Sequence, residues 1–159
     1  MIQLMDDETY MRIAIARAKE SAANDEVPVG AAIIGANGEV LATAGNEICC
    51  NNDPAGHAEI IALRMAAQKT NNYRLPGTTV YVTLEPCAMC ASAMIHARIE
   101  RLVFGARDPK TGAVVSRYEI GRDGLLNHIF DVTEGVLEEE CSQLLKEFFQ
   151  KALKLAPLR

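Results

Sequence analysis

A chain of 159 residues with an ordinary apolar fraction of 49% fits one domain over 1–159. It can bury roughly 70% of its unfolded surface and so needs no disulfide or metal staple to fold. No apolar run approaches the roughly 20 residues of a membrane-spanning helix, and Met1-Ile2-Gln3-Leu4-Met5-Asp6-Asp7 lacks the basic start of a signal peptide, which leads us to expect a cytoplasmic protein with no membrane partner. A net charge of −5 argues against a protein that coats nucleic acid non-specifically, because Lys and Arg contacts to phosphate dominate such binding.

The chain carries no repeat, low-complexity tract or linker. After Asp6 or Asp7, either one a reasonable N-cap, residues Thr9 to Ala23 place Tyr10, Ile13, Ala14 and Arg17 at helical spacing, and Asn24-Asp25 ends the helix. Two short apolar stretches, Val29 to Ile34 and Val40 to Ala44, flank Ala36-Asn37-Gly38, a strong hairpin signal. Glu47 to Gly56 is rich in turn formers and delivers the chain to a helix that begins near His57 and runs to about Lys69. Leu75-Pro76-Gly77 then turns into a buried strand, Thr79 to Thr83. Pro86 marks a further helix start, since proline is favoured in a first helical turn. Strands at Arg101 to Gly105 and Ile129 to Thr133, and a final amphipathic helix over Leu137 to Leu153, complete the order α-β-β-α-β-α-β-β-α. That order predicts an α/β fold, a three-layer α/β/α sandwich around a five-stranded mixed sheet with helix N-termini along one edge.

Two segments of this scaffold carry chemistry, His57-Ala58-Glu59 and Pro86-Cys87-Ala88-Met89-Cys90. One histidine and two cysteines make three ligands for a tetrahedral zinc ion and leave the fourth position open to water, which distinguishes a catalytic zinc from a structural one. Cys87 and Cys90, spaced i and i+3, share a helix face, and the positive end of the helix favours the thiolate that binds metal. Residues i and i+2 do not share a face, so His57 and Glu59 both reach the metal only if they lie in the first turn. Glu59 is then the candidate proton carrier. Glu85 is a rival acid, read here as a group that fixes its loop. A C-x-x-C pair alone also suits core thiols or a redox motif, but neither would require His57-Ala58-Glu59. The order H-x-E followed by P-C-x-x-C is the signature of the zinc-dependent nucleobase deaminases.

Resemblance extends further. Glu26-Val27-Pro28-Val29-Gly30-Ala31, Asn46, Asp53-Pro54, Tyr73-Arg74-Leu75, Tyr81 to Cys87, Met94 to Ile99 and Val103 to Ala113 are similar to the bacterial tRNA-specific adenosine deaminases, within the cytidine/deoxycytidylate deaminase family. Asn127-His128 and Phe148-Phe149 echo the C-terminal third. The resemblance implies a cytidine deaminase-like fold, one Zn2+ per subunit held by His57, Cys87 and Cys90, and Glu59 as the catalytic proton shuttle. It implies conversion of adenosine to inosine at wobble position 34 of a tRNA anticodon loop, with Asn46 and the backbone at Ala58 reading the base. Asp108 lies in a loop, Arg107 to Thr111, that is near RNA in this family, though a simple turn residue fits it as well. The resemblance also implies a homodimer.

Two features depart from the family. Phe148-Phe149 leads to Gln150-Lys151-Ala152-Leu153 rather than to a cluster of arginines, so fewer phosphate contacts and a flatter salt dependence are expected. Adjacent Cys49-Cys50 precede the zinc helix and read as unpaired loop thiols, since a fourth sulfur would close the site, while Cys141 reads as a small packed apolar residue. Arg98, Arg101, Arg107, Lys110, Arg117 and Arg122 form either a local basic patch or an ordinary solvated surface. Two other functions compete with RNA editing: deamination of a free nucleobase or nucleoside such as guanine, and a non-catalytic zinc-stabilised binding module with four protein ligands.

Overall fold

The computed structural model describes residues 5–155; the reading of Met1 to Leu4 lies outside them. The first helix, α1 (Asp7–Ala23), is capped by Asp6, whose carboxylate accepts from the Thr9 backbone N–H. Strands β1 (Gly30–Ile34) and β2 (Val40–Gly45) form the expected antiparallel hairpin. Its turn places Gly38 at φ 86, a conformation that favours glycine. The register slips between Ile33 and Ile34, a bulge beside the turn. Helix α2 (Ala58–Thr70), strand β3 (Thr79–Leu84), helix α3 (Ala88–Ala97) and strand β4 (Arg101–Ala106) follow, and then β5 (Asp131–Glu134) and α4 (Glu138–Leu155).

The last strand begins two residues later than the sequence suggests. Ile129 is 60% exposed, and the chain joins the sheet only where Asp131 comes opposite Arg101. Pro86 also differs from expectation. Cys87 is the N-cap of α3, which leaves Pro86 one residue outside the helix, where it fixes the entry of the chain and not the first turn.

Sheet order is β2-β1-β3-β4-β5, antiparallel across β2-β1-β3 and parallel across β3-β4-β5. The parallel pair β3-β4 requires a crossover, which α3 supplies. Alternation along the strands splits the core in two. Ile33, Val80, Val82, Leu102 and Phe104 face α2 and α3, whereas Ala32, Ile34, Tyr81 and Val103 face α1 and α4 with Tyr10, Met11 and Cys141. The result is the expected α/β/α sandwich. Gly30 and Gly45, paired across the hairpin, let α1 close onto it: a Cβ on Gly30 would strike the backbone of Ala14 and Ala18, and one on Gly45 would strike Ser21 and Arg17. On that same side Arg101 makes a two-point ion pair with Asp7, at 2.8 and 2.7 Å, which ties β4 to the start of α1.

Candidate active site

The chain brings the starts of α2 and α3 together, and the proposed ligands occupy those starts. His57 is the N-cap of α2 and Cys87 the N-cap of α3, both with extended backbone and neither using its side chain to cap its helix. An N-cap side chain ordinarily satisfies a free N–H of the first turn; here both are turned to another purpose. Cys90 stands three residues on, in the first turn of α3. The Nδ1 atom of His57 lies 3.6 Å from Cys87 Sγ and 3.5 Å from Cys90 Sγ, and the three donor atoms all lie within 4.8 Å of one another. A tetrahedral ion with Zn–N of ~2.0 Å and Zn–S of ~2.3 Å spans N···S edges of about 3.5 Å. The donor set therefore fits zinc in chemistry and in spacing. Among the described residues no other group of three or more such side chains converges in this way.

The three donors lie within hydrogen-bonding reach of one another. A hydrogen bond from Cys90 brings the Cys87 thiol down to about 4, against the effect of burial, while the same contact with Cys87, aided by burial, holds the proton on Cys90. Contact with Cys87 raises His57, helped by the nearby charge of Glu59. Glu59, in the first turn of α2 as the i and i+2 spacing demands, is only 3% exposed. Burial raises its carboxyl, opposed by its own backbone N–H and by His57. A carboxyl raised from its ordinary range is shifted in the direction that an acid–base group requires.

The residues expected to read the base are bonded to each other. Asn46 Oδ1 accepts the Ala58 backbone N–H at 2.8 Å, so that N–H is committed and the amide nitrogen of Asn46 is the group left for a ligand. Asp108 closes its own turn, accepting from the Lys110 and Thr111 backbone N–H groups and from the Thr111 hydroxyl. The turn reading of Asp108 thus describes what its carboxylate does in this state.

Glu85 is 2% exposed and holds the loop after β4 in place. Its Oε2 accepts backbone N–H groups of Val114, Val115 and Ser116 at 2.9–3.2 Å, and its Oε1 accepts from Asp108 N–H and the Ser116 hydroxyl. Burial opposes its charge, but these bonds prevail and hold its carboxyl below the ordinary range. Sequence reading missed Ser116 and Gly112 in this arrangement. Gly112 offered a signal, since a Cβ there would strike the Glu85 carboxyl and the Asp108 carbonyl.

Four side chains of the basic stretch are engaged within the fold. Arg101 is paired with Asp7, Arg107 with Glu134 at 2.7 Å, and Arg98 and Arg122 donate to the carbonyls of Asn127 and Val114. Cys49 and Cys50 are exposed and Cys141 is buried, as the sequence suggests.

Residues 4–106 match the family model described as the cytidine and deoxycytidylate deaminase zinc-binding region. The chain belongs to this zinc-binding deaminase family. The deaminase is 51% identical over 145 residues to a tRNA-specific adenosine deaminase of Haemophilus influenzae, an alignment that covers 91% of this chain and 84% of that protein. It also resembles a solved structure from work on A-to-I editing by tRNA:A34 deaminases at the wobble position of transfer RNA. There the TM-score is 0.83 at 43% identity, covering 86% of this chain and 99% of the other. A guanine deaminase from Nitrosomonas europaea is more distant, with a TM-score of 0.76 at 27% identity over 92% of this chain and 86% of its own.

Proposed function

We propose that this deaminase acts as one catalytic domain that hydrolyses adenosine to inosine at the wobble position of a tRNA anticodon, releasing ammonia. The observation that carries the reading is the three-donor cluster of His57, Cys87 and Cys90 with Glu59 buried beside it, in a chain 51% identical to a tRNA-specific adenosine deaminase. Zinc, when bound, supplies a Lewis acid that makes water nucleophilic near neutral pH.

The remaining chemistry belongs to the protein. Glu59 accepts one proton of the attacking water and returns it to N1 of adenine, then takes the proton of the new C6 hydroxyl and delivers it to the amine, which leaves as ammonia while C6 becomes a carbonyl. Its burial holds it in one place and excludes bulk water as a competing proton source. Asn46 orients the base with its amide nitrogen while its oxygen steadies the first turn of α2 through Ala58 N–H. Glu85 takes no part in proton transfer: with its oxygens filled by N–H and O–H donors, it positions the loop that bears Asp108. The reacting base has to enter a pocket, so nucleotides of a single-stranded loop are the natural substrate, and an anticodon loop meets that need.

The reading includes a cytoplasmic homodimer. No described helix is long and apolar enough to cross a membrane, and exposed Met65 on α2, with Met89 on α3 and Tyr118, Leu125 and Leu126 beyond, offers apolar surface for a second copy. The likeness to a guanine deaminase keeps a free purine base as the second candidate substrate. A non-catalytic zinc module fits less well, because the described cluster has three donors and not four. Purified protein incubated with a tRNA pool should produce an A-to-G sequencing readout at the wobble position of at least one species. Turnover of free guanine with no inosine in any RNA would overturn the assignment.

A further inference from the structure

Asn46 is 7% exposed and is held on three sides. Its Oδ1 accepts the Ala58 N–H at 2.8 Å, and its own backbone N–H donates to the Val29 carbonyl at 3.1 Å. The third partner comes from α1: the hydroxyl of Ser21, a residue only 6% exposed, donates to the Asn46 carbonyl at 3.1 Å. These bonds leave the amide nitrogen as the polar group of Asn46 that has no partner among the described residues.

A serine inside a helix commonly donates back to the carbonyl four residues earlier, which here belongs to Arg17. Ser21 donates outward instead, to the end of β2. Gly45 makes room for this: a Cβ there would strike Ser21 Oγ and the Arg17 carbonyl. Gly45 is not among the described glycines with positive φ, so close approach of α1, and not backbone conformation, is what a side chain there would violate. The Ser21 backbone acts on the opposite wall. Its carbonyl accepts the N–H groups of Asn24 and Glu26 at 3.0 and 2.9 Å, and Glu26 Oε1 in turn accepts the Cys49 N–H at 2.6 Å, beyond Asn46. One residue in the last turn of α1 thus ties down both the chain that enters β1 and the loop that leaves β2.

We infer that Ser21 is a positioning residue for deamination: its hydroxyl fixes the Asn46 backbone so that the free amide nitrogen meets the target base, a reading that rests on the role proposed for Asn46 above. With Oδ1 pinned to the Ala58 N–H and both backbone groups bonded, the Asn46 amide can neither rotate nor shift. It therefore loses little conformational freedom when the base arrives, which is what makes a single hydrogen bond effective in binding. Without the Ser21 hydroxyl the buried Asn46 carbonyl has no partner and must move to find one, and the amide moves with it. Ser21 itself touches no reacting atom.

The test separates positioning from mere structural support. Inosine formation is measured on an anticodon stem-loop, and the same stem-loop made abasic at the target position serves as a competitive inhibitor; thermal melts verify that every variant is folded at the assay temperature. Ser21→Ala should lower kcat/KM about fivefold, the size of one neutral hydrogen bond. The Ki of the abasic loop should stay at its wild-type value, since no base is there for Asn46 to meet. Ser21→Cys, which keeps a weak donor in the same place, should recover part of the loss. Asn46→Ala should itself lower kcat/KM, and Ser21→Ala added to it should lower it no further, because the amide that Ser21 positions is gone. An equal penalty on the abasic Ki, full additivity with Asn46→Ala, or a wild-type kcat/KM in Ser21→Ala overturns the inference. An enzyme active on RNA but indifferent to Asn46→Ala would overturn it too, and leave the RNA reading standing. Free guanine as the sole substrate would instead bring down the RNA reading and this inference with it.

Discussion

The first turn of α2 and the loop that enters α3 each bury a carboxylate almost completely, Glu59 at 3% and Glu85 at 2% exposure, yet the two are pushed in opposite directions. Burial is thus not what decides. Around Glu59 desolvation prevails and its carboxyl rises; around Glu85 backbone N–H groups and a hydroxyl converge, and its carboxyl falls. A carboxylate whose oxygens are filled by fixed donors has no affinity left for a proton in transit, whereas one that is desolvated and sparsely bonded exchanges its proton readily. The comparison supports the proposed proton transfer by Glu59 and the loop support by Glu85 through their environments, independently of motif position.

Exchange of each acid for its amide should break the comparison most sharply. Glu59→Gln should lower turnover by about 10²–10⁴-fold, the usual contribution of a general acid–base group, while zinc content and melting temperature stay near wild type. A variant that retained more than a tenth of wild-type activity would remove Glu59 from the mechanism. Glu85→Gln should do the reverse in kind. It places an NH2 group against backbone donors and should cost about 2–4 kcal/mol of stability, read in a denaturant melt, with activity lost only in proportion to the fraction unfolded or to displacement of the loop.

A smaller effect is expected from Gly112→Ala, whose new Cβ pushes on Glu85 and Asp108. Overpacking of this kind costs about 1–3 kcal/mol, and combined with Glu85→Gln the two losses should be less than additive because they act on one contact. Full additivity in a double-mutant melt would show that Gly112 does not act through Glu85.

The smallest difference lies in pH dependence. Glu85 has a folded pKa below its unfolded value, so its stabilisation is fully present above the ordinary carboxylate value, near ~4.3, and is lost as pH falls through the lower folded value. Asp7, lowered chiefly by its bonds from Arg101, behaves in the same way at the other side of the sheet. Wild type should therefore lose more stability than Glu85→Gln between about pH 5 and 3. Equal losses, measured by melting temperature in matched salt, would contradict the depressed carboxyl.

Much of this molecule is set by local chemistry. Period and turn residues alone placed every helix and strand among the described residues within a few positions, and the i and i+3 cysteines with His57 and Glu59 follow from helix geometry, since each sits within one turn of its helix start. Pro86 falls just outside its helix, and the larger error arose where an element begins through long-range pairing. β5 starts at Asp131 because that residue meets Arg101 of β4, which no local signal encodes.

The sequence by itself determined the donor set and its helix-terminal setting, because ligand identity and short spacing are local properties. Only the tertiary structure decided what each polar group near that site is free to do. Asn46 and Ala58 are partners of each other, Asp108 closes its turn, and Glu85 is saturated by a loop some thirty residues away in the chain. Those outcomes depend on which N–H groups the fold carries to each oxygen, and distance along the chain does not contain that information.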